Sequence, residues 1–182
     1  MEKRLFVACT HLLMQTFGVA LAAGAHAAEH AHVHGVVTLN VAVEANQVSL
    51  QIEAPLDSLV GFEHAPRTAA QKQAVRTMFD RFAAPQSLVE LKPAAQCTLE
   101  NSSAESDALS AAAAGKPAAD GDHADLDATL QFGCKQAASL RSIDVAGLLG
   151  AFPRIVRIEA QIASPAGQFK RTLKRPDTLL RW

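Results

Sequence analysis

The chain has 182 residues, with 17 basic and 18 acidic side chains, a formal net charge of −1 and 49% hydrophobic residues. That balance excludes the cationic surface of a nucleic-acid binder and the low hydrophobicity of a disordered chain. A chain of this length holds one domain, or two small lobes sharing a core.

The first predicted element is a signal peptide over residues 1–27. Met1-Glu2-Lys3-Arg4 forms a short basic start, and an almost uncharged run from Leu5 to Ala25 follows and ends in small residues. His11, Gln15 and Thr16 interrupt the run, and an alanine-rich tail stands where a retained anchor would carry a basic flank. Of the two A-x-A sites, Ala20-Leu21-Ala22 and Ala25-His26-Ala27, the second leaves a mature chain from Ala28, periplasmic and without stable membrane insertion. Cys9 leaves with the signal. Cys97 and Cys134 then remain as an even pair in an oxidising compartment, each beside a strand-like segment, and a disulfide between them is expected. The alternative, thiolate ligation of a metal, lacks a C-x-x-C spacing.

Val37, Leu39, Val41 and Val43 alternate, then Val48, Leu50 and Ile52, which predicts a hairpin turning at Ala45-Asn46-Gln47. The apolar run from Leu56 to Phe62 leads into Glu63-His64-Ala65-Pro66. A helix is predicted from about Thr68 to Phe82, with Val75, Met78, Phe79 and Phe82 on its buried face and Pro85 beyond its end. Short strands follow at Leu88–Leu91 and Cys97–Leu99. Asn101 to Asp122 is Ala, Ser, Gly and Asp with one Lys-Pro, the composition of a solvated loop. Leu126, Ala128, Leu130 and Phe132 alternate again up to Gly133-Cys134. A short helix at Ser139–Leu149, a strand at Ile155–Ile162, a turn at Pro165-Ala166-Gly167 and a strand at Gln168–Leu173 complete the prediction. The fold class expected is α+β: antiparallel sheets with one helix per half, as two lobes or a two-layer sandwich, closed by one disulfide. The halves, about 28–100 and 124–182, are alike in element order only, and a mobile loop over 101–123 joins them.

The chemistry concentrates in histidine. Three of seven stand at His30, His32 and His34, in Glu29-His30-Ala31-His32-Val33-His34-Gly35. If the run is extended, the three imidazoles share one face and two can meet one ion. Neutral imidazole is a common zinc ligand. The bland alternative is a polar, frayed terminus. Glu63-His64 next to Pro66 offers a second imidazole with an adjacent carboxylate, able to act as ligand and ligand partner. His123, in Asp122-His123-Ala124-Asp125, is a weaker candidate of the same sort. No G-x-S-x-G, H-E-x-x-H or phosphate-binding glycine loop occurs, and the chain is read as a non-enzyme.

The blocks H-x-H-G-V-x-x-L-N-V (His32 to Val41), L-V-G-F-E-H-A-P-R-T (Leu59 to Thr68) and A-F-P-R-I-x-R-I-x-A-Q (Ala151 to Gln161), with the terminal L-R-W, resemble the ZrgA-type periplasmic proteins of zinc-regulated uptake systems. The resemblance covers nearly the whole mature chain. It implies a zinc-binding protein working beside an inner-membrane metal transporter, with His32, His34 and His64 as the core ligands. One departure stands out: the central loop of such proteins commonly carries a long His, Asp and Glu tract, whereas Asn101 to Asp125 here is mostly Ala and Ser, with His123 its one histidine. Two other classes remain open at this point, a periplasmic scaffold whose histidines are incidental and a handler of copper or nickel, metals that H-x-H near a free N-terminus also suits.

Overall fold

The computed structural model describes residues 33–115 and 124–182. The predicted signal segment, His30, His32 and His123 lie outside the described residues. Within them are nine strands and four α-helices. β1 (Val36–Val43) and β2 (Gln47–Pro55) form the expected hairpin, in a register that sets Leu39 opposite Ile52 and Val41 opposite Leu50. The period-2 pattern decides the faces: Val37, Leu39, Val41 and Val43 are buried, while Thr38 and Asn40 point outward.

The apolar run after β2 forms a short helix, α1 (Leu56–Val60), which Gly61 ends in the left-handed conformation at φ +88°. α2 (Ala69–Ala83) begins with a capping box: Thr68 accepts from the Gln71 backbone N–H, and the Gln71 side chain accepts from the Thr68 N–H. Its Met78 and Phe82 are buried, and Phe82 stacks on Phe152 with ring centroids 5.8 Å apart. β3 (Glu90–Leu91), β4 (Cys97–Glu105), α3 (Asp107–Ala113), β5 (Asp125–Cys134), β6 (Ser142–Asp144), α4 (Ala146–Ala151), β7 (Arg157–Ser164), β8 (Gly167–Leu173) and β9 (Leu179–Arg181) follow.

The strands make a six-stranded sheet in the order β4-β5-β2-β1-β7-β8 and a small sheet in the order β3-β6-β9. Strands from both ends of the sequence lie side by side in the large sheet, where β1 and β7 run parallel with Val36 opposite Arg157. The other four neighbouring pairs in this sheet are antiparallel, so it is mixed. Its apolar face joins α1, α2, α4 and the small sheet in one buried cluster that includes Leu50, Leu130, Ile158, Phe82, Ile143, Leu148 and Phe152. The disulfide is present, joining Cys97 and Cys134, which face each other across β4 and β5.

Two segments depart from the sequence expectation. Asn101 to Ala113, expected as loop, is the second half of β4 followed by α3. β4 is an edge strand that passes a register irregularity between Leu99 and Asn101, and beyond it the residues are Asn, Ser, Ala and Glu. Such an edge needs no apolar alternation, because hydrogen bonds to β5 hold it; Ser102 Oγ also donates to the Phe82 carbonyl at 2.5 Å. α3 is alanine-rich, and alanine has the highest helix propensity. The helix expected at Ser139–Leu149 is instead β6 followed by α4, since Ile143 is fully buried between Leu91 and Leu180 of the small sheet.

Candidate functional site

His34 is not part of an extended run into β1. Val36 N donates to Val33 O at 2.9 Å, and Gly35 takes φ +79° at the third position of that turn. A positive φ at this position suits glycine. The turn is anchored on both sides. Gly35 N donates to Ser58 Oγ of α1 at 2.8 Å, and Gly35 O accepts from Val156 N at 2.7 Å and Arg157 N at 3.0 Å. The His34 ring therefore projects from a fixed backbone, with its side chain 59% exposed.

The loop carrying Glu63 and His64 is also held at both ends, by the Gly61 helix stop and by the capping box of α2. Gly61 N donates to Asp57 O at 3.0 Å, and Arg67 N donates to Gln71 Oε1 at 2.9 Å. Glu63 Oε1 is brought to 2.8 Å from His34 Nε2. That oxygen is buried yet accepts no hydrogen bond of good geometry. A carboxylate oxygen and an imidazole nitrogen at this separation need a proton or a cation between them. Two zinc ligands at bond lengths of about 2.0–2.1 Å and a tetrahedral angle lie about 3.3 Å apart. The pair thus fits two neighbouring ligands of one ion after a shift of about half an ångström, which an exposed ring can make.

His64 is exposed, with Nδ1 2.9 Å from Ala65 O and its ring stacked on Phe62 at 5.2 Å. A carbonyl only accepts, so Nδ1 carries a proton, and in the neutral ring Nε2 is the nitrogen left to bind. Among the described residues no group of three or more His, Cys, Asp or Glu side chains is gathered to hold a metal ion. His34 and Glu63 are brought together; His30, His32 and His123 lie outside the described residues.

Two residues at this site escaped the sequence expectation. Asp57 Oδ2 stands 3.9 Å from His34 Nδ1, and Arg154 holds both Asp57 oxygens at 2.9 Å while its Nε donates to Asp57 O at 2.8 Å. Arg154 lies in the A-F-P-R-I block and Asp57 just ahead of the L-V-G-F-E-H block, so the motifs were visible and the pairing was not. The site is the meeting point of three segments, 34–35, 57–64 and 154–157, which the parallel pairing of β1 and β7 draws together.

These features define an α+β, sandwich-like domain with an imidazole–carboxylate pair on its surface. Residues 31–182 match the ZrgA family zinc uptake protein, and the chain belongs to that family. Comparison with curated proteins gives no match. No helix among the described residues is long and apolar enough to cross a membrane.

Proposed function

We propose that this chain captures zinc in the periplasm and passes it to an inner-membrane transport system, the ion being cargo. His34 Nε2 and Glu63 Oε1 are two of its ligands. His64, with a free Nε2, and His32, two residues before His34, complete the set, and His30 is a further donor on the same run. The observation that carries this reading is the 2.8 Å approach of a buried, hydrogen-bond-free Glu63 oxygen to His34 Nε2, in a chain of a zinc uptake family. The route to the periplasm in this reading is the predicted signal peptide, and membership of a zinc uptake family supports a transporter as the partner.

The test is calorimetric titration of zinc into the purified, metal-stripped protein, beside the variant His32→Ala/His34→Ala/His64→Ala. Tight binding lost in the variant supports the proposal. Absent binding, or binding unchanged in the variant, overturns it and leaves a scaffold role standing.

A further inference from the structure

We infer that Asp57 and Arg154 are the positioning pair of this metal site, with Asp57 as the acceptor for His34 Nδ1–H and Arg154 as the group that aims it. The inference rests on the proposed ligation by His34 and Glu63. An imidazole has two nitrogens, and only the one without a proton can bind a metal. His34 faces Glu63 with Nε2 and Asp57 with Nδ1, at 2.8 and 3.9 Å. A carboxylate behind Nδ1 keeps the proton there and leaves Nε2 for the ion, as metal-bound histidines generally require.

The Asp57 carboxylate can do this only if it is held, and Arg154 holds it through Nη2, which donates to both carboxylate oxygens, while Nε donates to the Asp57 carbonyl. Two guanidinium nitrogens on the side chain and the backbone of one residue fix Asp57 at two points. Arg154 itself is placed from outside the ligand segments: its chain runs directly into Val156 and Arg157, whose backbone N–H groups hold Gly35 O. The same short segment therefore fixes both the backbone that carries His34 and the carboxylate behind its ring. The ring shift of about half an ångström that an ion needs, if directed away from Glu63, takes Nδ1 towards Asp57, which stands 3.9 Å away.

The experiment uses zinc itself, the full chain and the variants Asp57→Asn and Arg154→Lys, with two readouts: zinc affinity, and the ¹⁵N shifts of the His34 ring that report which nitrogen carries the proton. Asp57→Asn is expected to weaken zinc about 10- to 100-fold and to lower the share of Nδ1–H tautomer at His34, with Arg154→Lys between it and the parent protein because a lysine keeps the charge and loses the second donor, on the Asp57 carbonyl. A purely structural pair would alter thermal stability and leave the tautomer alone. Zinc that shifts the His34 nitrogens in the parent protein, with affinity and tautomer unchanged in both variants, overturns the inference and spares the proposed function. Zinc that leaves those nitrogens unshifted in the parent protein overturns both.

Discussion

Cys97 and Cys134 are directly opposite one another on β4 and β5 and covalently joined, 37 residues apart in sequence. The bond pins the start of an edge strand whose far half has few apolar side chains, and it closes the loop that contains α3. Replacing both cysteines with serine is expected to cost about 2–4 kcal/mol in denaturant unfolding. Hydrogen exchange should rise first in β4, with β1 and β2 still protected.

Glu63→Gln removes the charge from the buried oxygen that faces His34 while keeping its shape. The substitution is expected to leave the denaturation midpoint of the metal-free protein nearly unchanged and to weaken zinc at least tenfold, as read by competition with a chelating dye. Equal affinity in the two proteins would remove Glu63 from the ligand set.

Metal per chain measures the missing central tract. A His, Asp and Glu tract would gather several ions, and its absence here leads us to expect about one tightly held zinc per chain after exhaustive dialysis. A ratio of three or more would place most of the binding elsewhere.

Zinc competes with protons for each imidazole, so binding releases protons and weakens as the medium acidifies. Affinity measured from about pH 8 down to about pH 5 is expected to fall steeply, more so than one ligand alone could cause. A flat profile would point to carboxylates as the principal ligands.

Gly35→Ala tests the turn that carries His34. At φ +79° an L residue is strained by roughly 1–2 kcal/mol, and the added Cβ would stand 2.7 Å from Val156 Cγ2. Loss of stability is expected together with weaker zinc binding, because the turn must move. By contrast, Gly147→Ala is remote from the ligands and sits where α4 meets the backbone of Ser87, with a Cβ falling 2.0 Å from its carbonyl oxygen. The clash with backbone outweighs the gain of about 1 kcal/mol in helix propensity, and a net loss of about 1–3 kcal/mol is expected with zinc affinity retained.

The hairpin of β1 and β2, α2 and the strand of β5 were legible in the sequence because each buries one face, so that apolar spacing alone reveals both type and register. β4 beyond Leu99 and α3 were hidden, since an edge strand of Ser, Asn and Glu and a short alanine helix carry no periodic apolar signal. β6 was read as helix because three residues, Ser142 to Asp144, are too few to show alternation. At the site, His34 and Glu63 stood out by residue type. The partnership of Asp57 with Arg154 did not, because a contact across 97 residues depends on the parallel pairing of β1 with β7, which no local spacing encodes.

That parallel pairing also sets when in the life of the chain the site exists. Val36 lies near the start of the described residues and Arg157 near the end, so their strands meet only by closing most of the polypeptide into a loop, a slow step in folding. A chain whose C-terminal fifth has yet to be made, or has been clipped away, keeps His34 and Glu63 but lacks the backbone donors of Val156 and Arg157 that fix the His34 turn. The proposed capture of the ion is thereby reserved for the finished molecule, and zinc binding is expected to double as a readout of complete folding.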